Sequence, residues 1–408
     1  MALTDLDDWM SENTGPDRIW YVKRLAANDT LASGAHQAGP YIPRSFLFDV
    51  FPSLNKPEQE NPDVWFDLRV DSHPDRQKVR AVWYNNQFRG KTRNETRLTN
   101  FGGSNSALLD PESTGALAVF VFYRKNGNDA TVCHVWVCRN GVEEDQIEDR
   151  IGPVDPGRWK IWSVDGTDQE LLSVKEMPRT SCWLDPGEIP PTWLAQFPSC
   201  SDIIRRTIEL RPDHGLNVDK RLLKRRECEY QIFRSVEEAV ELPALKGGFN
   251  TIDEFVARAQ TILQRRKSRS GRSLELHVKE ILVEENFKEG QDFDYQPESD
   301  PKQRPDFLFP SETAYKNPDF PANNLRMLAA KTTCKDRWRQ ILNEAQRIDK
   351  KHLLTLQEGV SEAQFREMTD AKVQLVVPAA LASKYPKSIQ PHLQTFESFI
   401  GDIRLLCI

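Results

Sequence analysis

The sequence predicts two domains of different fold class, an all-β barrel-like domain at the N-terminus and an α/β domain at the C-terminus. Between residues 60 and 165, short segments such as TVCHVWVC alternate apolar and polar residues, which is typical of strands. A segment dense in proline and serine follows, and helical periodicity begins beyond it. We therefore place the domains at residues 1–175 and 201–408, with a linker or boundary at 176–200.

The strands predicted in the N-terminal domain are separated by turn sequences such as KNGND and DPGR. Their β-branched and aromatic residues favour extended backbone. The predicted strands are Val64–Val70, Val79–Tyr84, Ala116–Tyr123, Thr131–Cys138 and Trp159–Val164.

The C-terminal domain begins with amphipathic segments and continues with short apolar runs that alternate with further helices. Strands that alternate with helices predict an α/β layer with partly parallel strands. The predicted helices are 202–210, 219–242, 252–264, 274–287, 336–350 and 361–368, and the predicted strands are 306–309, 325–331, 353–356 and 373–377.

Three residues in this second region suit metal-dependent cleavage of a phosphodiester. Asp306 precedes the buried-strand pattern FLF, Lys331 ends the next apolar run, and Glu344 is predicted on an inward helix face. Carboxylates bind Mg²⁺, and a lysine beside them can position or deprotonate the attacking water. Pairing of the two strands would place Lys331 beside Asp306. An ordinary buried ion pair remains the alternative.

Several motifs resemble the EcoRII family of restriction endonucleases over essentially the whole chain. They are KTTCKDRWRQILNEA, SLELH, RPDFLFP, YVKRLAANDT and GKTRNETR. The resemblance implies a type IIE enzyme with a catalytic domain of the PD-(D/E)xK nuclease fold and an N-terminal effector domain that binds DNA and inhibits cleavage until it does so. It implies a homodimer that cuts double-stranded DNA at a CCWGG-like site. The central base and the number of sites bound together remain open.

The general nuclease pattern places an acid two positions before the lysine, where this chain has Ala329. In the EcoRII branch that carboxylate lies further along the chain, which the resemblance assigns to Glu344. The resemblance adds Glu275 to the set, as a third carboxylate for catalysis and for Mg²⁺. Glu275 shares a predicted helix face with Val278 and Leu282, an unusual position for a charge that lacks a partner or a metal.

Two polar N-terminal stretches, residues 23–44 and 89–97, have side chains that can read base edges in a DNA groove. Hydrophilic surface loops are the alternative. The resemblance implies that the effector domain binds DNA with two such loops, and it makes the second loop, with Lys91, Arg93, Glu95 and Arg97, the better candidate for base reading. The candidates in the first loop are Lys23, Arg24 and His36.

The triplet Lys335, Asp336 and Arg337 directly follows Lys331 in the catalytic domain. The resemblance implies that it recognises the C·G pairs of the site. A helix N-cap is the commonest role for an aspartate at the start of a helix, and Asp336 could serve both purposes.

The net charge of −6 does not by itself favour nucleic acid, but local basic clusters matter more than the sum. The clusters could contact phosphates or could be solvated helix faces. They are Lys220, Arg221, Lys224, Arg225 and Arg226, and Arg265, Arg266, Lys267, Arg269 and Arg272.

The cysteine and histidine patterns bear on compartment and metal chemistry. The seven cysteines show no CxxC pair, and the histidines show no ligand spacing, so we expect neither a disulfide framework nor zinc. No signal peptide or membrane span is recognisable, and we expect a cytoplasmic protein.

Two other function classes remain for comparison with a restriction endonuclease. A non-cleaving DNA-binding protein would use the β domain to read sequence and the second domain to dimerise. A nuclease for damaged or branched DNA would cut by structure rather than by sequence.

Overall fold

The computed structural model describes residues 4–34, 39–73, 75–90, 92, 94–101, 105–125, 127–163 and 180–406. The chain divides into two units. The first unit is Met1–Glu176 with Gln357–Arg366 and Ser383–Pro391, and the second is Met177–Leu356 with Glu367–Ala382 and His392–Ile408. Two short segments that the sequence assigned to the C-terminal domain therefore belong to the first unit.

A seven-stranded sheet forms the centre of the first unit. Its strand order is β4-β3-β2-β6-β5-β1-β7, and neighbouring strands in this order are antiparallel except the parallel pair β2 and β6. The five predicted strands are present, whereas β1 and β4 were not predicted. The strands are β1 Arg18–Arg24, β2 Asp63–Val70, β3 Asp75–Tyr84, β4 Glu95–Thr99, β5 Leu117–Tyr123, β6 Val132–Val137 and β7 Trp159–Ser163.

Both faces of this sheet are covered by apolar side chains. Successive residues of a strand point to opposite faces, and in β1 Tyr21 packs in one core while Trp20 packs in the other. The first core includes Phe46 of a short helix, and the second includes Leu6 and Ile147 of two others. The unit is thus a curled β-sheet, as the predicted β domain implies, and its described residues add three α-helices that were not predicted. These helices are α1 Thr4–Glu12, α2 Arg44–Val50 and α3 Gly141–Ile151.

The second unit contains a five-stranded sheet of order β12-β11-β10-β9-β8. Strands β10, β11 and β12 are parallel, while β9 is antiparallel to both β8 and β10. The partly parallel sheet agrees with the α/β prediction. The strands are β8 Asp294–Tyr295, β9 Phe307–Phe309, β10 Arg326–Lys331, β11 Lys351–Thr355 and β12 Val373–Val376.

Helices of the same part of the chain cover this sheet, with Leu222, Val278 and Phe399 in its main core. One helix of 33 residues replaces the two predicted at 252–264 and 274–287. The helices after residue 180 are α4 Pro191–Ala195, α5 Cys200–Leu210, α6 Val218–Gly247, α7 Ile252–Glu284, α8 Glu312–Lys316, α9 Glu362–Asp370, α10 Ala379–Ala382 and α11 Phe396–Leu406, and α9 begins in a segment of the first unit. Buried residues of the main core come from α6, α7 and α11.

The proline-rich segment after residue 180 is packed rather than extended, which corrects its interpretation as a linker. Cys182, Leu184 and Ile189 are buried in a core with the residues of α6. Cys182 also forms a disulfide with Cys228 of α6, with a Cα to Cα distance of 5.2 Å. The sequence suggested no disulfide framework and gave no indication of this single bridge. Proximity in three dimensions brings together two cysteines separated by 46 residues, which their spacing could not show.

The predicted basic clusters serve a structural role, because most of their arginines join α6 to α7 or to its C-terminal end. Removing such charges from water is costly unless each has a partner, and glutamates supply the partners. The exposed members Lys220, Lys224, Lys267 and Arg272 lie outside these ion pairs, and for them a phosphate contact and a solvated helix face both remain open. The ion pairs are Arg221 and Arg225 with Glu284, Arg269 with Glu229, Arg266 with Glu237, and Arg265 with Glu241.

Among the helices of the described residues, none combines the length and the apolar character that crossing a membrane requires.

Candidate active site

Pairing of β9 with β10 brings Asp306 and Lys331 together, as the sequence predicted. Leu328 lies opposite Phe307, so Asp306, the residue before Phe307, faces the end of β10. The Asp306 carboxylate accepts a hydrogen bond from the Ala330 backbone N at 2.7 Å and from Lys331 Nζ at 2.9 Å. Only 7% of Asp306 is exposed. Strand register thus fixes the acid and the cation as a rigid pair.

Glu275 approaches this pair from α7. It is buried, on the helix face predicted for it. Its carboxylate accepts hydrogen bonds from Gln296 Nε2 at 2.9 Å and from the Tyr295 hydroxyl at 3.2 Å. Burial, and then the negative charge of Asp306, raise the pKa of Glu275.

Glu344 also reaches this cluster, but the helix predicted to carry it is absent. A 3-10 helix spans Arg337–Asn343, and Glu344 follows it with extended backbone, φ −78° and ψ 146°. Burial and the negative charge of Asp306 raise the pKa of Glu344 to about 7. The Oε2 atom of Glu344 is buried and accepts no hydrogen bond. Lys331 and Lys351 attract its negative charge, but burial outweighs this attraction, so a further cation would stabilise the ionised form.

Lys331 is the cation that interacts with all three carboxylates of the cluster. Burial opposes its charged form, but the attraction and hydrogen bonds of Asp306 outweigh burial and raise the pKa of Lys331. Glu275 and Glu344 act in the same direction. The lysine is thus held protonated beside carboxylates, two of which have raised pKa values.

These residues offer the ligand atoms that a hard divalent cation prefers. The ligand atoms are carboxylate oxygens, and Oε2 of Glu344 accepts no hydrogen bond. Mg²⁺ prefers carboxylate oxygens and keeps several waters, so two carboxylates suffice to hold it. Within the described ranges, no group of three or more His, Cys, Asp or Glu side chains is arranged to hold a metal. Asp306 nevertheless lies close enough to Glu275 and Glu344 for its negative charge to raise the pKa of both.

The predicted base-reading triplet lies where the 3-10 helix begins. Asp336 occupies the N-cap position, but its side chain makes no capping hydrogen bond. Lys335, Asp336 and Arg337 are all partly exposed. This segment follows β10 directly, so the triplet lies close to Lys331 along the chain.

Two predicted DNA-binding residues of the first unit do not lie on a loop. Lys23 and Arg24 end β1, and both are buried. Lys23 forms an ion pair with Asp29 at 2.6 Å. The Arg24 guanidinium pairs with Glu144 at 2.6 Å and with Glu148 at 2.8 Å. Both cations thus have internal partners, which argues against contacts with DNA, and their assignment as DNA-binding residues stays a prediction.

The other predicted contacts of the first unit divide into two groups. Glu95 and Arg97 lie on β4, partly exposed, and their side chains approach to 3.3 Å. His36, Lys91 and Arg93 lie outside the described residues.

Comparison with known proteins decides the family. The model described as "Restriction endonuclease EcoRII, N-terminal" matches residues 14–165, and the model described as "EcoRII C terminal" matches residues 233–400. The type II restriction enzyme EcoRII of Escherichia coli is 42% identical over 407 residues, which cover 99% of this chain and 98% of that protein. The chain belongs to the EcoRII family. This confirms the resemblance and the predicted class of activity, a type II restriction endonuclease.

Two solved structures are more distantly similar to this EcoRII family member. Metal-depleted Ecl18kI in complex with uncleaved DNA is 19% identical, with a TM-score of 0.43 over 55% of this chain and 85% of that chain. The B3 domain of UbaLAI restriction endonuclease with cognate DNA is 16% identical, with a TM-score of 0.26 over 38% of this chain and 98% of that chain.

Sequence reasoning missed the residues that surround the acids. Tyr295 and Gln296 hold Glu275, and the Gln296 backbone N also donates to the Asp306 carbonyl at 2.9 Å. Gln296 has a φ of 52°, which is uncommon for a residue with a β-carbon. No local pattern in QDFDYQPESD signals these contacts, because they depend on the distant helix α7.

Proposed function

We propose that this restriction endonuclease uses Mg²⁺ to cut double-stranded DNA at a CCWGG-like site with Asp306, Lys331, Glu344 and Glu275. The observation that carries the proposal is the convergence of these residues from separate elements, with one carboxylate oxygen buried and unbonded. Neighbouring buried carboxylates with raised pKa values are typical of functional sites. We also propose that the second unit has the PD-(D/E)xK nuclease fold.

The four residues have distinct roles in this proposal. Asp306 and Glu344 would hold Mg²⁺, which when bound supplies positive charge at the scissile phosphate. Lys331, fixed by Asp306, orients the attacking water and stabilises negative charge as it develops. Glu275 lies beside the pair as a further carboxylate, and its contacts with Tyr295 and Gln296 fix its orientation.

A plasmid digest tests the proposed chemistry and site. With Mg²⁺ the protein should produce discrete fragments whose sequenced ends share a CCWGG-like motif, and a chelator should stop cleavage. Specific binding to the same DNA without any cutting in Mg²⁺ would favour the non-cleaving alternative. Fragments without a common end sequence would favour recognition of DNA structure.

For Arg337, we predict a role in reading guanine through two hydrogen bonds to O6 and N7. Replacing Arg337 by alanine should then cost roughly 1–3 kcal/mol of discrimination between cognate and non-cognate duplexes. Gel-shift titrations on both duplexes measure this difference. Arg339→Ala, two residues further along the same 3-10 helix, is a matched control. Equal loss on both duplexes would identify Arg337 as a phosphate contact instead.

We further propose that the chain acts as a homodimer, because a twofold axis matches the symmetry of a nearly palindromic site. The region 1–175 would be an effector domain that binds its own copy of the site, so that two or more sites are engaged together. Among the predicted contacts that the structure describes, Glu95 and Arg97 are partly exposed and so remain available to DNA. Lys91, Arg93 and His36 are proposed from the family resemblance alone.

The effector proposal predicts that the first region restrains cleavage until it binds DNA. A chain that begins at residue 180 keeps the packed segment around Cys182 and should cut a plasmid with one site faster than the full chain does. Measured rates on one-site and two-site plasmids test this. A shortened chain that folds and binds DNA but is no faster on one site would contradict the restraint.

A further inference from the structure

The turn that carries Glu344 has a backbone conformation that needs external support. Ala345 has a φ of 47°, in the left-handed region that residues with a β-carbon seldom adopt. Such conformations persist where the surrounding structure holds them in place, and they are common at functional sites. The direction of the Glu344 side chain therefore depends on the contacts that hold residues 345–348.

Side chains from outside the turn bind its successive backbone N–H groups. These groups would otherwise be available to continue a helix, so their capture explains why the predicted helix ends before Glu344. Tyr315 adds a further link by donating its hydroxyl to Asp300 Oδ2 at 2.9 Å. The turn contacts are Ala345 N to Ser299 Oγ at 3.3 Å, Gln346 N to Asp300 Oδ2 at 3.1 Å and Arg347 N to the Tyr315 hydroxyl at 3.1 Å.

Lys351 holds the carbonyl side of the same turn. Its Nζ donates to the Ala345 carbonyl at 2.7 Å and to the Ile348 carbonyl at 2.6 Å. The residue is only 5% exposed, and it is the first residue of β11, paired with Val373. Both hydrogen-bond acceptors are backbone carbonyls, while the charges of Asp300, Glu344 and Asp349 attract the ammonium group without outweighing its burial, so the pKa of Lys351 is lowered. Because a buried ammonium group is costly, simple packing would be served better by an apolar side chain.

We propose that Lys351 is a positioning residue for DNA cleavage. Its buried ammonium group holds the turn that carries Glu344 against the start of β11. The inference rests on the catalytic role proposed for Glu344. Lys351 acts through the carbonyls of Ala345 and Ile348 and not on the DNA. Tyr315, through Arg347 N and Asp300, holds the other side of the turn and serves the same purpose.

The test uses single-turnover cleavage of a cognate duplex in saturating Mg²⁺ by the full chain. Lys351→Met keeps the aliphatic length and should slow cleavage by about 10²-fold, the scale expected when a reacting group is displaced by roughly 1 Å. DNA affinity measured without metal should stay within about twofold of the wild type. Lys350→Met, the same change at the exposed neighbouring lysine, is the matched control and should cleave normally.

A second comparison separates positioning from a merely structural role. In a Glu344→Gln background, adding Lys351→Met should cause no further loss, because Lys351 acts only through that carboxylate. A loss that multiplies with that of Glu344→Gln, or a normal rate for Lys351→Met, would overturn the inference. If Lys351→Met does not fold, Tyr315→Phe decides: it should slow cleavage by about tenfold, and a normal rate would overturn the inference.

Failure of this inference differs from failure of the proposed site. Normal cleavage by Glu344→Gln alone would remove the role assigned to Glu344. Loss of cleavage in Glu344→Gln with normal cleavage in Lys351→Met would remove only the positioning role of Lys351.

Discussion

Replacing Glu344 by glutamine should lower the single-turnover cleavage rate by about 10³-fold or more, with specific DNA binding retained. The amide keeps the size of the side chain but loses the negative charge that the proposed cation needs. Asp306→Asn and Lys331→Met should slow cleavage to a similar extent. Asp306→Asn weakens a proposed ligand of Mg²⁺, and Lys331→Met removes the ammonium group that Asp306 binds at 2.9 Å. Rapid-quench cleavage assays and gel shifts on the same duplex measure both properties.

Glu298→Gln is the control for this prediction, since Glu298 is an exposed acid of the same unit. It should cut at the wild-type rate. If Glu344→Gln retains near-normal cutting in Mg²⁺, Glu344 is not a metal ligand, and the unbonded Oε2 needs another explanation. If all three variants lose DNA binding together with cleavage, the cluster supports the bound complex rather than the chemical step.

Replacing Arg24 by methionine should reduce the free energy of unfolding by about 3–5 kcal/mol, because Glu144 and Glu148 would remain buried without their cation. Arg24 Nε also donates to the Val154 carbonyl at 2.8 Å, so one side chain joins β1 to α3 and to the segment after it. Urea unfolding followed by tryptophan fluorescence measures the loss.

Arg150→Met is the matched control for Arg24→Met. Arg150 lies on α3, the helix that carries the partners of Arg24, and it pairs with Asp7, but about half of each side chain is exposed. Exposed pairs contribute about 0–1 kcal/mol, so this variant should unfold nearly as the wild type does. A stable Arg24→Met protein with weakened DNA affinity would instead support a contact between Arg24 and DNA, which the buried ion pairs of Arg24 argue against.

The sequence by itself determined the features that depend on local periodicity. Alternation of apolar residues located β2, β3, β5, β6 and β7 closely, and the runs around Asp306 and Lys331 located β9 and β10. Because an antiparallel pair places the ends of its strands side by side, the contact between Asp306 and Lys331 followed from these runs. The motifs also identified the family, which the comparisons confirmed.

Only the tertiary structure decided which charges face solvent and where one helix stops. Arg24 and Glu144 are 120 residues apart, so the sequence around Arg24 does not indicate that it forms a buried ion pair. The same holds for the arginines of α6 and α7, whose spacing resembles a basic DNA-binding face. Residues 337–348 have helical periodicity, but Ser299, Asp300, Tyr315 and Lys351 capture the backbone groups that a helix would use. Local periodicity records which side chains are apolar, whereas the partners of buried charges and backbone groups are set by contacts distant in sequence.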